Sequence, residues 1–287
     1  MTIRNPIEWA SDQFRLAGLV VGSAGRAGIG SEADRETSLP EIRQIETADL
    51  KDVLVRGFDD FAAYRTDVIF LCIVYPVIGL ILGRLAFGYG TLPLLFPLAS
   101  GFALVGPFAA VGLYEMSRRR ELGGNVAWPD AFGVIASRSF GAIIVLGLLL
   151  VAIFLLWLIT AESIYEVTLG PEPPASLGSF IRDVLTTEAG WALIVVGIGA
   201  GFLFAVVALA ISVVSFPLLL DREVGLVTAV WTSVRAVVVN PVPMAVWGLV
   251  VTSGLVIGSI PLFLGLIIVM PVLGHATWHL YRKVVPR

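Results

Sequence analysis

The chain has 287 residues, of which 57% are hydrophobic and 14% charged, too apolar for a soluble enzyme or a disordered protein. Its net charge of −3 offers no basic excess to hold a nucleic-acid backbone, so no nucleic-acid partner is expected. A single cysteine, Cys72, excludes an internal disulfide and any Cys₄ metal site. Such a composition belongs to a multi-pass membrane protein, with the lipid bilayer as its first partner.

In chain order, residues 1–46 are polar and are expected to form a mobile cytoplasmic arm. Their one apolar run, from Leu16 to Val21, is too short to cross a bilayer, and it follows Glu8 and Asp12, unlike a signal peptide. From Thr47 an amphipathic helix is predicted, because Leu50, Val53, Leu54, Phe58 and Phe61 recur at helical spacing. Asp49, Lys51, Asp52, Arg56, Asp59 and Asp60 fall to its other positions. A helix of this kind lies in the membrane interface or packs across the cytoplasmic ends of a bundle.

Six segments then have the length and apolarity of membrane spans, at about 68–87, 92–114, 140–160, 190–220, 242–260 and 262–280. The fourth covers 31 residues. At 1.5 Å per residue it is about 46 Å long, so it is expected to protrude into the cytoplasm with a kink at Pro217. Ser259-Ile260-Pro261 separates the last two spans, since proline disfavours helical geometry in the residue before it. Weaker amphipathic segments precede the third span (129–139) and the fifth (226–240), and an outer one, 176–185, precedes the fourth. The expected fold is an all-α polytopic membrane helix bundle: six transmembrane helices within a membrane domain of residues 47–287, with amphipathic interfacial helices on the cytoplasmic face.

Basic residues set the orientation. Of the 19 Lys and Arg residues, 17 fall on one side of these spans and two, Arg84 and Arg182, on the other. Both termini are therefore expected in the cytoplasm. The loop between the third and fourth spans is acidic instead, with Glu162, Glu166, Glu172, Asp183 and Glu188. GxxxG pairs at Gly79/Gly83, Gly197/Gly201 and Gly254/Gly258 are expected to bring helices close, within the chain, in a homo-oligomer or against a protein partner.

Chemistry-bearing residues are few. The two histidines, His275 and His279, are four apart and share a helix face at the end of the sixth span. Two imidazoles at that spacing can bind one metal ion, and Glu115 or Asp221, at the same membrane level, would complete a two-histidine, one-carboxylate set. Structural roles account for the same pair, as dipole-complementing groups at a helix C-terminus or as partners of a carboxylate. HxxxH without an intervening glutamate is not a metalloprotease motif. Prolines 76, 93, 97, 107, 217, 261 and 271 lie in or beside the spans, and broken helices line the binding sites of transporters. The middle of the spans holds no ionisable residue, which disfavours a proton-coupled carrier and leaves an apolar or lipid-like cargo less constrained.

Four strings occur together: Phe96-Pro97-Leu98-Ala99-Ser100-Gly101-Phe102-Ala103-Leu104, Gly112-Leu113-Tyr114-Glu115 with Ser117-Arg118-Arg119-Arg120, Ser215-Phe216-Pro217-Leu218-Leu219-Leu220-Asp221-Arg222, and Pro271-Val272-Leu273-Gly274-His275-Ala276-Thr277-Trp278-His279. Over about residues 40–285 the chain resembles a family of uncharacterised bacterial six-span integral membrane proteins, a domain of unknown function. The resemblance implies a bacterial inner-membrane location and no activity. Three functions stay open: a non-enzymatic scaffold, assembly factor or permease-like component; a metal- or haem-binding protein built on His275 and His279; and a carrier for an apolar or lipid-like solute.

Overall fold

The structure is a computed structural model that describes residues 39–64, 69, 72–88, 92–124 and 126–287. Among them all long regular elements are helical and there is no strand. Four stretches are long and apolar enough to cross a membrane: Leu92–Glu121, Phe140–Thr168, Glu188–Asp221 and Pro241–Ser259. They correspond to the second to fifth predicted spans. Residues 1–38, most of the predicted arm, and the start of the predicted first span lie outside the described residues.

The amphipathic helix forms as α1 (Asp49–Ala63), with Leu50, Val53, Gly57, Asp60 and Phe61 buried. It packs along the last helix, α11 (Leu266–Val284), rather than standing apart from the bundle. The residues just before it are held too. Arg43 N–H donates to the Val284 carbonyl at 2.8 Å, and Ile45 N–H to Asn240 Oδ1 at 2.8 Å. Gly57 sets how closely the two helices cross, because a Cβ there would lie 2.6 Å from Ala276 N. After α2 (Val74–Gly88), the second span is built from α3 (Leu95–Ala109) and α4 (Val111–Glu121), joined through Ala110, whose N–H still reaches the Gly106 carbonyl at 2.9 Å.

Most of the amphipathic segment predicted at 129–139 forms a 3₁₀ helix, Trp128–Ala136, rather than an α-helix. The third span, α5 (Phe140–Thr168), runs two turns beyond its predicted end and carries Glu162 and Glu166 on the helix itself. Its outer hydroxyls, Thr160 and Ser163, donate to carbonyls four residues back, so the extension leaves them satisfied. A second amphipathic helix, α6 (Leu177–Thr186), is capped by Ser176 and leads into α7 (Glu188–Ser212).

The fourth span differs most from expectation. It breaks at Val213–Val214, ahead of Pro217, and resumes as α8 (Ser215–Asp221), in which every residue from Ser215 to Leu220 is buried. Proline in the first turn of α8 costs no hydrogen bond, because those N–H groups have no partner inside the helix. The break is satisfied from α9 (Leu226–Val239): Val214 N–H donates to Ser233 Oγ at 3.1 Å, and Ser215 Oγ donates to the Ala229 carbonyl at 3.1 Å. The end of this segment is therefore folded against its neighbours in the bundle.

The predicted break between the last two spans is a tight turn between α10 (Pro241–Ser259) and α11. Leu262 and Phe263 adopt left-handed φ values of 53° and 65° there. Such backbone costs on the order of 1–3 kcal/mol per residue and persists only where its surroundings impose it. The Phe263 ring sits where a Cβ on Gly79 of α2 would fall, and Gly258 and Gly265 let the two arms approach backbone to backbone. Gly254 likewise packs under Val269 and Leu273, whereas a Cβ at Gly83 or Gly197 would meet nothing within 4 Å.

Candidate functional site

At the basic end of the bundle, α11 meets α1 and α4 through a buried polar cluster. His275 and His279 do share one face of α11, and that face is turned to Asp60 of α1 and Ser117 of α4. Ser117 Oγ lies 2.6 Å from Asp60 Oδ2 and 2.8 Å from His275 Nδ1. His279 Nε2 lies 2.9 Å from the same carboxylate oxygen, and Arg120 Nη1 lies 2.5 Å from Asp60 Oδ1.

Donor counting fixes the protons. An ionised carboxylate only accepts, so the single Ser117 proton goes to Asp60. His275 Nδ1 must then carry a hydrogen and donate to the Ser117 oxygen. That leaves Nε2 of a neutral His275 as an acceptor, buried and without a hydrogen-bond partner among the described residues. Burial pushes the Asp60 carboxyl up, but the hydrogen bonds from His279 and Ser117 outweigh it and hold the group below its ordinary value.

The two carboxylates expected to join the histidines are engaged elsewhere. Glu115 accepts from Arg118 Nε at 2.7 Å and from Arg119 Nε at 2.7 Å. Asp221 forms a fork-to-fork pair with Arg282 at 2.6 and 2.7 Å and accepts from the Tyr281 hydroxyl at 2.6 Å. Among the described residues no group of three or more His, Cys, Asp or Glu side chains is placed to hold a metal ion. The carboxylate that the sequence reading missed is Asp60, and its signal lay in the helical wheel: it is seven residues from Val53 and three from Gly57, on the buried face of α1.

The opposite face of α11 borders a cavity of about 370 Å³ between α3, α7, α10 and α11. Phe202, Leu209, Trp247, Leu255 and Met270 line it, and no charged side chain does. Two of its few hydroxyls are turned away: Ser212 donates to the Ala208 carbonyl at 2.5 Å and Thr277 to the Leu273 carbonyl at 2.7 Å. Pro107 also lines it, offering no N–H to the carbonyl of Ala103 one turn back. Two side chains at its edge, Phe202 and Leu249, are each 65% and 65% exposed, so the cavity is bordered by outward-facing apolar residues.

Residues 94–221 match the model of a family described as "Predicted integral membrane protein (DUF2189)". This part of the chain is an integral membrane domain of unknown function. The match takes in the first two of the four strings and the third as far as Asp221, and it supplies no activity. No curated protein and no solved structure matches the chain.

Proposed function

We propose that the protein is a non-catalytic, permease-like membrane component that holds an apolar, lipid-like molecule in the cavity between α3, α7, α10 and α11. In this reading α2 and α11 complete a set of six spans in a bacterial inner membrane. The 17-to-2 bias of basic residues puts the basic end and both termini at the cytoplasmic face. The 3₁₀ helix Trp128–Ala136 and α9 would lie in that interface, since Trp128, Phe132, Val227 and Trp231 point outward while Ala131, Val134, Ala229 and Ala236 are buried.

The observation that carries the reading is the cavity, which combines about 370 Å³ with an uncharged wall at the depth of the spans. That volume is within the range of small-molecule sites, roughly 300–1,000 Å³. Water is a poor occupant, because a buried water needs two to four polar partners. An empty apolar void forfeits dispersion contacts along its lining, and a hydrocarbon chain restores them. Association inside a membrane rests on such packing, as transfer from lipid brings no hydrophobic gain.

The test uses Gly248→Leu. A Cβ on Gly248 would touch Leu209 at 3.5 Å, an ordinary contact, so the side chain enters the cavity without a backbone clash. Wild-type protein purified in mild detergent is expected to retain a long-chain molecule in native mass spectra. Gly248→Leu is expected to lower its occupancy at least tenfold with unchanged circular dichroism. Equal occupancy in both proteins, or an empty wild type after reconstitution into phospholipid nanodiscs, would overturn the proposal.

A further inference from the structure

We infer that a second cavity, at the opposite, acidic end of the bundle, is a separate site for the acyl chain of a membrane phospholipid. It extends the reading above and rests on it for the class of molecule. The cavity has a volume of about 460 Å³ and lies between α5, α6, α7 and the start of α3. The outer amphipathic helix α6 roofs it with Phe180, Ile181 and Val184. Gly190 holds that roof in place: any side chain there would overlap the carbonyl oxygens of Asp183 and Val184, so the α6–α7 hairpin closes only over glycine.

Its polar groups are spent internally. The Tyr165 hydroxyl donates to the Glu172 carbonyl at 2.7 Å. Trp157 Nε1 donates to Ser100 Oγ at 2.8 Å, and that hydroxyl donates onward to the Pro97 carbonyl at 2.7 Å. No charged side chain lines the space. With every donor on these side chains spent and no charge in the wall, the space is a poor host for water. The wall lies along apolar spans, so the occupant at hand is a lipid chain. Trp157 stands between this site and the inner one. It is buried against Phe204, with ring centroids 5.5 Å apart, and over Gly201. Along α7, Ile198 lines the outer cavity and Phe202 the inner, one turn apart.

The experiment is photolabelling of the full chain in phospholipid nanodiscs doped with a phospholipid carrying a diazirine on its acyl chain, with adducts mapped by peptide mass spectrometry. Adducts on residues 161–165 and 180–184 are expected at several times the level on Leu148 and Leu149, which face outward on the same α5. Gly197→Leu fills the outer cavity from a position where an added Cβ meets nothing within 4 Å. It is expected to bring the outer adducts down to the Leu148–Leu149 level while adducts on residues 202–209 persist, which also reports an intact fold. Outer labelling no higher than at Leu148 and Leu149, or unchanged in Gly197→Leu, would overturn the second site alone. Loss of specific labelling at both cavities in the wild type would sink the inner reading with it.

Discussion

Replacing Asp60 by alanine is expected to destabilise the packing of α1 on α11 by about 3–5 kcal/mol, the usual cost of removing one partner from a buried charged network. Three groups lose their acceptor together: Ser117, His279 and Arg120. Arg120 regains water readily because its side chain is 36% exposed, but Ser117 is buried and can donate only to His275 Nδ1, which must first give up its hydrogen. The measurement is amide hydrogen exchange across α1, with a double-mutant cycle against His279→Ala to isolate the pair. Additive effects of the two substitutions would contradict a shared network.

The same carboxylate predicts an acid dependence. Its folded-state pKa is held below the ordinary value, so it binds its proton less readily when folded. Its contribution is complete above the unfolded value of about 4 and is lost as pH falls through the lower folded value. The stability gap between wild type and Asp60→Ala should therefore narrow only below about pH 4. A gap that closes between pH 8 and 6 would place the controlling titration on another group.

Gly57→Leu is the second large effect, and its origin is steric. The added Cβ would fall 2.6 Å from both N and Cβ of Ala276 and 2.7 Å from its Cα, on backbone that cannot yield as a side-chain tip would. α1 must then lift from α11, exposing Leu50, Val53 and Phe61. Each such side chain is worth about 1.5–3 kcal/mol when buried from water. Limited proteolysis is expected to cut the variant within residues 49–63 while the wild type resists. Gly83→Ala is the matching control, since a Cβ there meets nothing within 4 Å. Equal resistance of Gly57→Leu and wild type would show that the two helices do not cross this closely.

Periodicity and turn chemistry made much of the fold readable. The apolar spacing from Leu50 to Phe61 marks α1, and Pro261 marks the last hairpin, because both signals are local. The length of α5 was not readable: Glu162 and Glu166 look like loop residues by charge, yet glutamate is a good helix former and a helix end exposed to water tolerates it. The break at Val213–Val214 was announced by Pro217, whose ring clashes with the carbonyl four residues back, at Val213. How the freed groups are held was hidden, because Ser233 and the Ala229 carbonyl come from α9.

The candidate site was readable only in part. Four-residue spacing put His275 and His279 on one face, but their partner Asp60 is 219 residues away from His279, beyond any spacing rule. Counting charge alone assigned Asp60 to the solvated face of α1, although its place among Val53, Gly57 and Phe61 puts it on the packed face. The cavity left no sequence signal beyond small residues such as Gly106 and Gly248 and the helix-interrupting Pro107. A void between four helices is a property of their packing.

Occupation of the inner cavity by a lipid-like chain is tested most directly by a structure of the protein in phospholipid nanodiscs. An elongated, unbranched density between α7 and α10 is expected, touching Phe202 and Trp247 and disappearing in Gly248→Leu. Side chains of α7 and α10 closed over an empty space, or ordered water in place of a chain, would contradict it.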